Sequence, residues 1–124
     1  MIDRRDDRHL VALRVAEALR SGNAGFVTTD AVLVEFLTYF SAHGVLIRGA
    51  ASDYISVLKT DPLLTIVPQT PALFDAGLDL YRRRPDKTYS MCDCMSMVVC
   101  TQHQITDVLT ADRDFEQEGF KLLL

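Results

Sequence analysis

The chain has 124 residues, which fits one domain and leaves little room for two. Hydrophobic residues make up 48% of it, enough to bury a core, so intrinsic disorder is excluded, and the net charge of −4 argues against a passive DNA-coating protein. No apolar run approaches the roughly 18–20 residues that a membrane span needs, and the charged N-terminus lacks the apolar segment of a secretory signal. We therefore expect a single domain over residues 1–124 that has no contact with a membrane.

The first half of the chain alternates helix and strand patterns. In chain order these predict a helix over about 7–21, a strand over 26–28, a helix from 29–30 to before 44, a helix over 46–59 and a strand over 64–67. The next helix has a clear start, because Thr70 is a good N-cap and Pro71 suits the first helical position.

The second half continues the alternation. Its predicted elements are a helix from 71 to 84, a helix that opens with a capping box at 90–93 and runs to about 102, a strand over 105–109, a helical turn over 114–117 and a strand over 120–123. Strands that alternate with helices predict an α/β fold with a mostly parallel sheet. The pattern opens with a helix and offers only four strands, whereas doubly wound sheets usually open with a strand that becomes central.

The three cysteines, Cys92, Cys94 and Cys100, lie in one short segment. A disulfide framework spreads its cysteines along the chain, so we expect reduced thiols and a cytoplasmic protein. A zinc site that includes His103 is disfavoured, because Cys92 and Cys94 point to opposite sides of a helix. We expect these thiols to be packing residues.

Glu35 lies in the second predicted helix between Val34 and Phe36, and most of its helical neighbours are apolar. Burial of an ionised carboxylate is costly unless a cation or a donor meets it, so this Glu is a candidate functional group. The alternative is a Glu at the rim of the core that reaches solvent.

Two further carboxylates stand at positions that favour chemistry. Asp93 is the only charged residue between Tyr89 and Gln102, and Asp112 comes after the strand-like segment 106–110. Ligands of open α/β sheets bind beyond the carboxyl ends of the strands. The simpler interpretations are a first-turn helix carboxylate for Asp93 and a turn residue for Asp112.

Convergent carboxylates have one familiar use, which is to hold Mg²⁺ or Mn²⁺. A bound metal makes water a better nucleophile and polarises a phosphate oxygen. Other catalytic patterns are missing: no Ser-His-Asp signature and no Gly-rich phosphate loop is present in the sequence.

Three stretches, in this order, resemble the motifs of PIN-domain nucleases. VTTDAVLVE (27–35) resembles their second acidic motif, SMCDC (90–94) their third, and LTADRDFEQEGF (109–120) their closing signature. The resemblance covers essentially the whole chain, and among PIN proteins it is strongest to the VapC-like toxins of bacterial type II toxin–antitoxin pairs and their stand-alone relatives.

The resemblance implies a PIN-like three-layer sandwich in which helices flank a mostly parallel sheet. It implies RNA cleavage that depends on Mg²⁺ or Mn²⁺ held by Glu35, Asp93 and Asp112. It also implies an RNA substrate, a homodimer, and a cognate antitoxin if the chain is one half of a toxin–antitoxin pair.

The chain departs from the family at its start. PIN domains begin with a central strand that ends in a metal-binding Asp, and here the segment 3–19 matches the first-helix region that comes after that strand. The expectation is therefore an N-terminally truncated fold with fewer carboxylates and weaker metal binding. Either the strands beside the gap pair directly or a partner chain covers them, because buried backbone groups are rarely left unpaired; a trimmed start codon also explains the sequence.

Basic residues run directly into the Asp93 helix. They are candidates for binding RNA phosphates, although a solvated helix end, where cations favour the helix dipole, is the simpler explanation. Ser90 is a candidate contact to the water shell of the metal, although its capping role suffices. The candidate substrate-binding residues are Ser90, Arg82, Arg83, Arg84, Lys87 and Arg113.

Two alternatives stay beside the nuclease hypothesis. A degenerate PIN domain that binds RNA or a protein partner without cleavage fits the absent first Asp. An apolar helical surface for a dimer is the second idea, with core packing as the alternative explanation of the same residues: Val45, Leu46, Ile47, Ile55 and Leu58.

Overall fold

The structure is a computed structural model that describes residues 25–110 and 112–124; the helix predicted over 7–21 lies outside them. Four strands and five helices alternate along the described part of the chain. They are β1 (Phe26–Thr29), α1 (Asp30–Phe40), α2 (Val45–Leu58), β2 (Leu64–Val67), α3 (Pro71–Arg83), α4 (Met91–Gln102), β3 (Asp107–Val108), α5 (Arg113–Gln117) and β4 (Lys121–Leu122).

Side-chain caps mark the starts of α1 and α3. The Thr70 hydroxyl accepts from the Leu73 amide at 3.1 Å, with Pro71 in the first turn, as the sequence predicted. The Thr29 hydroxyl likewise accepts from the Val32 amide at 3.2 Å and starts α1 at the end of β1.

The strands form two parallel pairs. β1 pairs with β2 over four residues, from Phe26 opposite Leu64 onward, and β3 pairs with β4 over two. Within the described ranges the two pairs are not hydrogen-bonded to each other, whereas the sequence predicted one sheet. The parallel strands and flanking helices confirm the predicted α/β class.

The strand predicted over 105–109 is shorter than expected. Its ladder ends early because the Thr110 amide turns back to the Val108 carbonyl at 3.1 Å. Residues at the margins of the pair extend the contact: the Lys121 amide donates to the Thr106 carbonyl at 2.8 Å, and the Leu123 amide donates to the Val108 carbonyl at 3.0 Å.

Helix α4 joins the two pairs, because its different faces are buried against different strands. Cys94 and Met97 pack toward β3 and β4, while Met95 and Val99 pack toward β1 and β2. A helix that is apolar nearly all round belongs in the interior of a fold. Cys94 is fully buried, which agrees with its expected packing role.

Helices α3 and α4 approach closely at Gly77. A Cβ atom at that position would stand 2.6 Å from the Met95 Cγ atom, so the contact requires glycine or a shift of the Met95 side chain. This contact places the end of α3 beside the start of α4, where the candidate site lies.

The apolar residues predicted for a dimer surface divide into two sets. Val45 and Leu46 are 88% and 87% exposed at the start of α2, and Ile47 is also exposed. Ile55 is buried in the core and Leu58 is half-buried. Of the helices in the described segments, none has the length and apolar character to cross a membrane.

Candidate active site

Asp93 is held at the first turn of α4 by a capping box. The Asp93 amide donates to the Ser90 hydroxyl at 3.0 Å, and the Ser90 amide donates to the Asp93 carboxylate at 3.1 Å. The reciprocal bonds satisfy amides that the helix leaves unpaired, and they fix the direction of the half-buried carboxylate.

Asp112 is held in a similar way at the start of α5. Its amide donates to the Thr110 hydroxyl at 3.1 Å, and its exposed carboxylate accepts from the Asp114 amide at 2.9 Å. The short strand β3 ends a few residues before Asp112. The start of α5 therefore carries two carboxylates, those of Asp112 and Asp114.

Asp93, Asp112 and Asp114 form one acidic group, with a carboxylate oxygen of each within 4.8 Å of the others. The charges crowd one another. Burial raises the pKa of the Asp114 carboxyl, the charges of Asp112 and Asp93 raise it further, and the Lys87 ammonium opposes them.

The acidic group fits a divalent cation in its donor chemistry. Hard cations such as Mg²⁺ and Mn²⁺ take carboxylate oxygens, and Mg²⁺ commonly uses one or two of them beside water and phosphate. A cation also relieves the repulsion that raises the Asp114 pKa.

Glu35 stands outside this acidic group, exposed on α1. The sequence left its burial open, and in the structure Glu35 is exposed, as are two of its apolar neighbours, Val32 and Val34. Its carboxylate nevertheless lies beside Cys92: burial raises the pKa of that thiol to about 12, with smaller contributions from the charge and a hydrogen bond of Glu35. Glu35 is therefore next to the residue that precedes Asp93.

The predicted basic residues lie at the end of α3 and in the loop after it. Arg82 and Arg83 are exposed in the last helical turn. Arg84 binds Glu118 through two contacts, Nε to Oε1 at 2.6 Å and Nη2 to Oε2 at 3.2 Å. This fork holds the end of α3 against the turn after α5.

Lys87 and Arg113 are the remaining basic residues that the sequence predicted for substrate binding. Lys87 lies 3.8 Å from the Asp86 carboxylate and close enough to Asp114 to act on its pKa. Arg113 is exposed as the first residue of α5, directly after Asp112.

Asp114 is the member of the acidic group that the sequence analysis did not single out. It was expected only to begin a helical turn. A signal was present, because an Asp that caps a helix brings its own carboxylate next to the residue two positions later.

Comparisons with known proteins identify the family and the fold. The family model of the PIN domain matches residues 1–121. The crystal structure of Mycobacterium tuberculosis VapC20, described as a sarcin-ricin loop cleaving toxin, aligns with a TM-score of 0.70 and 21% sequence identity over 85% of this chain and 79% of that chain. At that identity the similarity shows a shared fold. No curated protein matched the sequence.

Proposed function

The chain belongs to the PIN domain family, and from this we propose that it is a metal-dependent endoribonuclease that hydrolyses RNA phosphodiester bonds. The observation that carries the proposal is the acidic group, in which Asp93, Asp112 and Asp114 converge from two helix starts. Carboxylates this close repel one another, and a divalent cation bound between them relieves that repulsion.

The proposed ligands for Mg²⁺ or Mn²⁺ are Asp93 and Asp112, as the sequence predicted, together with Asp114. Glu35 is the fourth proposed catalytic carboxylate, since it lies beside Cys92 at the same end of α4. When bound, the metal supplies a polarised phosphate and an activated water.

The other residues position these carboxylates and the RNA. Ser90 fixes the direction of the Asp93 carboxylate through the capping box, so its variants act through Asp93. Positively charged side chains on both sides of the acidic group bind the phosphates of the substrate. They are Arg82, Arg83, Arg84, Lys87 and Arg113.

The test is RNA cleavage by the purified chain with Mg²⁺ or Mn²⁺, compared with EDTA. We expect Asp93→Asn to abolish the activity while Asp79→Asn, an exposed carboxylate on α3, leaves it unchanged. Cleavage that persists in EDTA, or unchanged in Asp93→Asn, contradicts the proposal.

A second candidate function is RNA binding without cleavage, because Glu35 stands outside the acidic group. Calorimetric titration with Mn²⁺ discriminates the two functions. Tight Mn²⁺ binding that Asp93→Asn removes supports the nuclease, whereas RNA binding with no cleavage and no Mn²⁺ binding supports the alternative.

We further propose that the chain is a cytoplasmic toxin of a type II toxin–antitoxin pair, or a stand-alone relative, and that it forms a homodimer. Its fold similarity to VapC20 supports the first idea, and the exposed Val45 and Leu46 support the second. Expression of the wild type, but not of Asp93→Asn, is expected to arrest bacterial growth. Light scattering is expected to give a dimer that Leu46→Asp converts to a monomer.

A further inference from the structure

A pocket of about 200 Å³ lies beside the acidic group, at the end of α3 and in the loop before α4. It is cationic and aromatic, and no member of the acidic group lines it. The lining residues are Tyr81, Arg84, Pro85, Lys87, Thr88 and Tyr89.

We propose that this pocket binds one nucleotide of a single-stranded RNA, adjoining the phosphate that is cut. The base stacks on the Tyr81 ring, while Lys87 and Arg84 hold the phosphate of that nucleotide. The inference rests on the proposed function, because it names the substrate contact of the same site.

The pocket and the acidic group are adjacent by two independent observations. Tyr89 lines the pocket, and the next residue, Ser90, caps the helix that carries Asp93. Arg84 also lines the pocket, and it binds Glu118, whose amide donates to the Asp114 carbonyl at 3.2 Å. A nucleotide in the pocket therefore leaves its neighbouring phosphate beside the acidic group.

Arg84 is oriented before any ligand binds. Its Nε and Nη2 atoms donate to Glu118, and its Nη1 atom donates to the Arg83 carbonyl at 3.3 Å. A guanidinium has five N–H donors, so two stay available to a phosphate. Glu118 thus fixes the orientation of the Arg84 guanidinium and leaves two of its N–H groups free to donate to a phosphate.

Tyr81 and Tyr89 give the pocket an aromatic surface, which a site for a simple anion lacks. Tyr81 is 51% exposed, and an exposed ring beside cations offers a base a surface on which to stack. Tyr89 is only 5% exposed, and its hydroxyl has no hydrogen-bond partner within the described residues. Tyr89 therefore contributes to the wall of the pocket, and the exposed Tyr81 ring is the stacking surface.

The experiment measures the Kd of a labelled single-stranded RNA of about ten nucleotides by fluorescence anisotropy in EDTA, so that no cleavage interferes. We compare Tyr81→Ala with Phe74→Ala, an aromatic residue at the other end of α3 that is 45% exposed. We compare Lys87→Ala with Lys59→Ala, an exposed cation after α2.

We expect Tyr81→Ala to weaken RNA binding about tenfold. Lys87→Ala weakens it several-fold and lowers the slope of log Kd against log salt by about one. The two control variants change Kd less than about twofold, as expected of sites that touch no RNA. Inorganic polyphosphate, which carries no base, is expected to lose affinity with Lys87→Ala but not with Tyr81→Ala.

The inference is wrong if the wild type does not bind the RNA, if Tyr81→Ala behaves like Phe74→Ala, or if Tyr81→Ala weakens polyphosphate as much as RNA. Cleavage kinetics separate this failure from that of the proposed function. A wild type that cleaves with Mn²⁺ and whose KM is unchanged in Tyr81→Ala overturns the pocket alone. A wild type that binds RNA through Tyr81 and never cleaves overturns the nuclease alone.

Discussion

The two strand pairs of this protein differ in length and in the side chains that lie near them. β1 and β2 pair over four residues and pack on Met95 and Val99, whereas β3 and β4 pair over only two. Two of the three members of the acidic group, Asp112 and Asp114, lie in the segment that connects the strands of the shorter pair. The half of the fold with the shorter ladder therefore carries two of the three carboxylates of the acidic group.

The difference shows what positions a site when the sheet is short. The carboxylates of Asp93 and Asp112 accept capping hydrogen bonds from the amides of Ser90 and Asp114, at 3.1 and 2.9 Å. The Asp93 and Asp112 amides donate in turn to the hydroxyls of Ser90 and Thr110, at 3.0 and 3.1 Å. Such bonds fix side chains within one turn of a helix start and depend little on the length of a ladder. The longer pair packs against α4 through Met95 and Val99. It therefore helps to place the helix start at which Ser90 and Asp93 form their capping bonds.

The largest expected effect concerns catalysis. We expect Asp114→Asn to lower kcat/KM on RNA by about a hundredfold, because each metal-binding carboxylate contributes several kcal/mol at the transition state. Glu35→Gln, beside the longer pair and outside the acidic group, is expected to lower it about tenfold. Asp107→Asn, an exposed control on β3, is expected to have no effect. If Asp114→Asn and Glu35→Gln lowered kcat/KM equally, the acidic group beside the shorter pair would not be the main contributor to catalysis.

Metal binding gives the next effect. Mn²⁺ at about a hundred times its Kd is expected to raise the free energy of unfolding by roughly 2.7 kcal/mol, because it binds the folded chain alone. EDTA removes this gain, and so does Asp112→Asn, while Asp79→Asn retains it. Urea unfolding with and without Mn²⁺ measures the difference; an equal gain in Asp112→Asn would place the metal elsewhere.

The contact between α3 and α4 tests the packing on the side of the longer pair. Gly77→Ala is expected to destabilise the fold by about 1–2 kcal/mol, because the strain of overpacking against Met95 exceeds the gain in helix propensity. Gly49→Ala in α2 is the matched control, since a Cβ atom there meets nothing within 4 Å. We expect it to be stabilising by up to about 1 kcal/mol. Thermal unfolding that ranks the two variants equally would contradict the close approach.

The smallest effect tests the side of the shorter pair. Glu118→Gln removes the ionic part of its fork with Arg84 and is expected to lower the midpoint of urea unfolding only slightly, since both groups keep some contact with solvent. Glu116→Gln, exposed on α5, is the control and is expected to be neutral. A neutral Glu118→Gln would mean that the fork holds the loop only weakly.

Much of the fold was predictable from local patterns. The caps at Thr70 and Ser90 mark helix starts that the structure confirms, and the strand at 64–67 has the predicted bounds. The strand at 105–109 was overestimated, because its length depends on the two residues of β4 that pair with it. Pairing partners are distant in sequence, so propensity alone cannot set a ladder's length.

The candidate site was predictable only in part. Asp93 and Asp112 do meet in space, as the motifs led us to expect, but Asp114 joins them and Glu35 does not. The apolar neighbours of Glu35 gave no measure of its burial, because several of them are themselves exposed. A sequence shows which residues are neighbours on a helix, but not whether another element covers that face.

The amino-acid sequence by itself determined the order of helices and strands, the capped starts that aim the carboxylates, and the three motifs that resemble the PIN family. These are local properties, fixed by hydrogen bonds and side-chain spacing within a few residues. Only the tertiary structure decided which carboxylates converge, which apolar residues of α2 stay exposed, and that Tyr81, Arg84 and Lys87 line one pocket. Those outcomes depend on which elements pack against one another across tens of residues of chain.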